Sequence, residues 1–287
     1  MVEFVRFLLE RFRFQILFFV TAIAVEVFVR TDLAKRLLSR SFALDLFYAA
    51  FYRLGIFSLL LIDPVRAYLD AHLAVPLFDS VPPWLRAVLY LLFTDFTNYW
   101  IHRLGHSSSF FWAFHQVHHS VDQLTMMALY RTHPIDSWLR TVIAPTLFML
   151  VLGLPPAIWL PLSIVWDINL NLSHLEVDWT YGRFGRIFVS PVFHSVHHGV
   201  DGKSHHVNFG MGLSIWDTIF GTADHESRRP EAVGLPGWTV RESFLPHVWA
   251  PFRDLARHYR GLPVRELAPL ITEPTSTAVA EPRDEER

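Results

Sequence analysis

Two copies of one triplet stand out in this chain: His115-x-x-His118-His119 and His194-x-x-His197-His198, with His102-x-x-x-His106 just upstream of the first. On a helix, residues three and four apart share a face. Each triplet therefore offers up to three imidazoles to one point, and the upstream pair offers two more. Neutral imidazole is the common protein ligand for iron, zinc and copper. With 16 His in 287 residues, random placement gives such a triplet about 0.05 times per chain. Two copies predict a metal site. With the upstream pair they make eight imidazoles, more than the roughly four to six ligands that one ion takes, so a centre of two ions is expected.

The remaining histidines sort by context. His174 is isolated in sequence but lies on a polar helix stripe and is expected to join the ligands. His133, ahead of Pro134, is expected at a helix entry, and stays open between ligand and outer partner. His205 and His206 follow the last triplet closely and read as loop or substrate-side residues. His72, His225, His247 and His258 have no partners nearby in sequence and read as ordinary.

The ligand chemistry is narrowed by what the chain lacks. It contains no cysteine, which excludes disulfides, thiolate-held zinc, iron–sulfur clusters and a cysteine nucleophile. No E-x-x-H pair is present, which argues against a carboxylate-bridged di-iron bundle. Neutral ligands leave cationic charge to be offset, and Asp95, Asp122, Asp167, Glu176, Asp178 and Asp201 are the candidates for that.

The elements that must position these groups look membrane-embedded. The chain is 52% hydrophobic and 15% aromatic, with a net charge of −2. It has no basic tract with interleaved aromatics, so nucleic acid is not an expected partner. Residues 1–11 read as an interfacial helix. Residues 12–29 are long enough, at about 27 Å, to cross a bilayer core. Further apolar helices are expected over 42–62 and 84–104. A hairpin is expected over 141–173, split by Gly153, Pro155 and Pro156. The apolar segments thus predict an all-α fold class with about four membrane-embedded helices. The chain divides into N-terminal anchoring helices (1–83), a catalytic domain (84–222), a C-terminal cap segment (223–263) and a disordered tail (264–287).

Polar groups inside apolar helices mark function or interior contact. Asp95, Asn98, His102 and His106 form one stripe, and Asp167, Asn171, His174 and Asp178 form another. Facing stripes would bring His174 to the upstream His set. Asp95, Asn98, Asp167 and Asn171 would then lie behind as hydrogen-bond partners of the ligands.

The order HRLGH, HQVHH, a lone downstream His and then HSVHH resembles the fatty acid hydroxylase and sterol desaturase superfamily of integral-membrane di-iron enzymes. Asn208–Gly210 (NFG) and Trp216–Thr222 (WDTIFGT) extend the match, which covers about residues 84–222. The resemblance implies metal ligation by His102, His106, His115, His118, His119, His174, His194, His197 and His198. It implies two iron ions, O2 as co-substrate and an integral-membrane helical bundle under a His-lined, cytosol-facing cap. It also implies hydroxylation or desaturation of an unactivated C–H bond in a membrane lipid. No haem-binding module stands beside the His boxes, so electrons are expected from a separate transfer protein or reductant.

Two other classes compete. A metal transporter or metal-handling protein would use the clusters for transit, but should spread ligands near broken helices at the membrane midplane. A zinc hydrolase would use the His102/His106 spacing, but Arg103 stands where a general-base Glu belongs.

Overall fold

A computed structural model describes residues 17–29, 38–54, 57–73, 77–78, 80–143, 156–201 and 203–262. The expected interfacial helix over 1–11 and the tail over 264–287 lie outside the described residues. The spans expected over 12–29 and 141–173 fall only partly within them.

The described chain is helical. No strand occurs among the described residues, only isolated bridges between Phe188 and Leu213 and between Gly199 and Val233. After α1 (17–29), α2 runs Arg40–Arg53, started by Ser39, whose hydroxyl accepts from the Phe42 amide at 3.0 Å. This capping satisfies one of the amides that a helix start leaves unpaired. A π-helical turn, Ser58–Ile62, leads into α3 (Asp63–Leu73).

The helix that organises the site is α4, Pro83–Ser107, which begins after Pro82 with proline in its first turn, where the missing N–H costs nothing. It stops at Ser108, which is extended at φ −129°, and α5 (Ser109–His119) starts at once. This one-residue turn folds α5 back on α4 and sets His102 and His106 against His115 and His119. Gly105 sits at the close approach: a Cβ there would lie 3.3 Å from the His115 ring.

A short helix α6 (Pro134–Trp138) is entered through His133. α7 (Pro156–Ser173) packs on α4, and α8 (Pro191–His197) packs on α7. Ser190 caps α8 by accepting from the Phe193 amide at 3.2 Å, with Pro191 next to it. α9 spans Ile215–Phe220, and α10 (Phe244–Tyr259) closes over α5, where Trp112, Ala113, Phe114 and Leu255 form a buried cluster.

Among the described residues no helix is long and apolar enough to cross a membrane. The expected span over 42–62 is broken where α2 ends at Arg53. Asp167, Asn169 and Asn171 dilute the apolar run of α7.

Candidate metal centre

The nine histidines implied by the resemblance come together as two compact groups. His102, His106, His115, His119 and His197 form one, and His118, His174, His194 and His198 form the other; all nine are buried. Within each group one ring nitrogen per residue lies within 4.8 Å of the others.

Each triplet divides between the two groups rather than serving one point. A helix advances about 100° per residue, so the adjacent pairs His118/His119 and His197/His198 must diverge. His115 and His119 face the first group while His118 faces the second. On α8, His194 faces the second group with His198, where the helix ends, while His197 faces the first. The facing-stripe expectation for His174 is corrected by the same geometry. It meets His118 and His194 across the bundle, not His102 and His106.

Ring orientation is set from outside. The Nδ1 of His102 donates to the Phe209 carbonyl at 2.7 Å, that of His197 to Val207 at 2.8 Å, that of His174 to Leu170 at 3.2 Å and that of His118 to Arg131 at 3.3 Å. His115 Nδ1 donates to Asp136 Oδ2 at 3.0 Å. A ring protonated at Nδ1 presents a bare lone pair at Nε2. The Nε2 atoms of His102, His115 and His197 are buried with no hydrogen-bond partner.

The other contacts are nitrogen to nitrogen. His106 and His119 approach through Nε2 at 3.1 Å, as do His194 and His174, and His198 and His194; His174 and His118 approach at 3.4 Å. With metal–nitrogen bonds near 2.1 Å, neighbouring ligand nitrogens in octahedral to tetrahedral shells sit about 3.0–3.4 Å apart. The spacing fits imidazoles arranged around an ion in each group. Burial, reinforced by the neighbouring imidazoles, holds His106, His118, His119, His194 and His198 well below the usual histidine range, and burial holds His174 at about 4. The rings are thus neutral, the state in which imidazole ligates metal.

Asp136, which sequence reasoning passed over, is the carboxylate that reaches the centre. It accepts from His115 and, through Oδ1, from Arg140 Nε at 3.0 Å. Burial alone would raise its pKa, but the Arg140 guanidinium and His115 hold it well below the usual carboxylate range. Its only signal in the sequence is the Asp136/Arg140 pair at i, i+4 beside an apolar block.

The acidic residues expected to compensate charge do other work. Asp95 accepts from the amides of Gly212 and Leu213 and from Trp216 Nε1 at 2.9–3.1 Å. Asp122 accepts from Ser41, Asp167 pairs with Arg53, Glu176 and Asp178 pair with Arg229, and Asp201 caps the Ser204 amide. Asn171 donates to the Asp167 carbonyl. His133 is neither ligand nor outer partner: its Nδ1 accepts from the Ile135 amide and its Nε2 donates to the Val248 carbonyl, both at 3.1 Å. His205 is buried with its ring 5.3 Å from that of His119 but outside both groups, whereas His206 is exposed.

The NFG and WDTIFGT segments form the frame behind His102. Asn208, in the left-handed region at φ 60°, ties its side chain to the Phe193 and Asp224 backbones. Asp217 accepts from the Phe209 and Gly210 amides and the Thr222 hydroxyl, each at 2.7 Å. A Cβ on Gly210 would lie 2.5 Å from the Leu213 carbonyl. These bonds fix the Phe209 carbonyl that orients His102.

A cavity of about 440 Å³ opens onto His102, His115 and His118, with walls from α2, α4 and α7. It touches both groups.

The two groups form a centre that could hold metal, and known proteins resemble the stretch that carries it. Residues 87–222 match the family described as fatty acid hydroxylase. The chain is 33% identical over 182 residues to the ornithine lipid hydroxylase of Rhizobium tropici, covering 62% of this chain and 54% of that protein. It is 30% identical over 155 residues to human alkylglycerol monooxygenase, covering 53% of this chain and 33% of that protein. It is 29% identical over 148 residues to a Delta(7)-sterol 5(6)-desaturase of Aspergillus fumigatus, covering 50% of this chain and 41% of that protein. The chain thus spans about half or less of the length of these relatives. No solved structure gives a significant match.

Proposed function

We propose that the chain is a membrane-bound, O2-dependent di-iron oxidoreductase that hydroxylates or desaturates an unactivated C–H bond of a lipid. The observation that carries this reading is the pair of inward-facing imidazole groups, five and four strong, at the head of an apolar-walled cavity. His102, His106, His115, His119 and His197 would hold one iron, and His118, His174, His194 and His198 the other. Bound iron would supply the redox chemistry by which O2 oxidises a C–H bond.

The protein's own residues provide the rest. The carbonyls of Phe209, Val207, Arg131 and Leu170, together with the Asp136 carboxylate, hold the rings in one tautomer and plane. Burial of all nine rings keeps bulk water from the reacting atoms. The cavity would align a hydrocarbon chain beside His102, His115 and His118.

A membrane-embedded bundle is supported by the outward faces of the helices. Phe47, Leu60, Ile164, Val165 and Ile168 are large apolar side chains that remain exposed, as a lipid-facing surface requires. The reading places the His cap toward the cytoplasm, where a separate electron-transfer protein or reductant would deliver electrons. Metal transport is less well supported, because a transit path should spread ligands along the membrane midplane and here they form two closed groups.

The test is oxidation of a membrane-lipid panel by iron-loaded protein with a chemical reductant under ¹⁸O2. The proposal requires iron-dependent lipid oxidation, seen as label incorporated into product or as a new double bond. A protein that binds iron yet oxidises none of the sterol, acyl or ether lipids would contradict it.

A further inference from the structure

The cavity beneath the His groups is apolar over most of its wall but, besides the polar groups of residues 132–141, carries a polar band on α4 and α7. On α4, Tyr90, Thr94, Asn98 and His102 recur every fourth residue and all line it. At 1.5 Å of rise per residue, Asn98 lies about 6 Å and Thr94 about 12 Å along the helix from His102. On the facing helix α7, Asp167 lies about 10 Å from His174 by the same measure. Arg53, at the end of α2, reaches across to pair with Asp167.

Within this band Arg53 Nε, Thr94 Oγ1 and Asn98 Oδ1 are buried without a hydrogen-bond partner. Buried polar groups are ordinarily paired, and leaving them unpaired is costly. Three such atoms in the wall of one largely apolar cavity mark a place where something else pairs with them.

The geometry points to a head-group subsite: Arg53, Thr94 and Asn98 bind a hydrogen-bonding group of the lipid substrate, of the hydroxyl or amide type, and so direct oxidation to carbons near that group. Arg53 Nε can only donate, Asn98 Oδ1 can only accept, and Thr94 does either. A hydroxyl or amide answers all three, and a bare hydrocarbon answers none. An anionic head group gains little here, because Asp167 already balances the Arg53 charge. The regiochemical part rests on the oxygenase reading; the binding part does not.

Purified full-length protein in detergent would be assayed for retention of radiolabelled hexadecanol against radiolabelled hexadecane. Wild type should hold the alcohol roughly tenfold tighter, and Thr94→Val and Asn98→Leu should each shrink that preference with bound iron unchanged. Equal retention of the two by wild type, as when water satisfies the three atoms, overturns the subsite without recourse to any variant. Full preference in both variants, with iron retained, also overturns it. Loss of the preference while iron-dependent lipid oxidation persists removes the subsite alone. Preference in a protein that takes up no iron removes the oxygenase reading alone. Where a hydroxylated lipid is turned over, the new oxygen should appear near its head group, and oxidation at the far end of the chain would contradict the proposal.

Discussion

The Asp136 carboxylate lies 3.0 Å from His115 Nδ1, linking a five-residue helix to the first histidine triplet. A carboxylate behind a ligating imidazole fixes its tautomer and raises its basicity, and losing such a partner typically lowers metal affinity about 10–100-fold. Asp136→Asn is expected to weaken iron retention by this order, measured by chelator competition. Unchanged retention would show that His115 needs no orienting partner.

Removing one histidine should have unequal effects in the two groups. His118→Ala leaves three imidazoles in its group, whereas His102→Ala leaves four in the other. Both variants should lose activity, and His118→Ala should lose more iron per chain. The reverse order would mean that the ligands are shared differently.

The Asp217 variant tests the frame behind His102. Asp217→Ala strands the buried amides of Phe209 and Gly210, at an expected cost of about 2–4 kcal/mol in unfolding free energy. Because the Phe209 carbonyl orients His102, activity should fall as well. Full activity at reduced stability would separate the frame from the site.

His247 serves as a control and a pH probe. It is buried against Tyr48 and Trp238, away from both His groups, and burial, with Arg131 and His133, pushes its pKa down to about 3. The folded value is below the unfolded one, so the unfolded chain takes up the proton first. Stability is therefore full above about pH 6.5 and is lost as pH falls toward 3, by about 1.4 kcal/mol per unit. His247→Gln should keep its iron and activity, and should close on wild type in stability by about 2 kcal/mol between pH 6.5 and 4.5. An identical acid limb in both proteins would contradict this.

How much was legible in the sequence follows from which relationships are local. The imidazoles were readable because helical spacing is a local property. Their division is local as well, since the divergence of His118 from His119 follows from the helix turn alone. The role of Asp136 depends on α6 meeting α5, which spacing cannot express. Asp95 was placed correctly on the polar stripe with His102, but its carboxylate serves the backbone of Gly212 and Leu213, a contact between segments far apart in sequence. The WDTIFGT stretch was legible as a pattern, and its purpose as the support of the Phe209 carbonyl needed the fold. His133 read correctly as a helix entry beside Pro134. Its ring is occupied by the Ile135 amide and the Val248 carbonyl, which removes it from the metal chemistry.

The most direct test of the central claim is the iron content of detergent-purified protein after iron-replete expression. Two buried imidazole groups predict close to two irons per chain, with His118→Ala carrying measurably fewer. Folded protein that takes up no iron, or holds zinc in its place, would contradict the account.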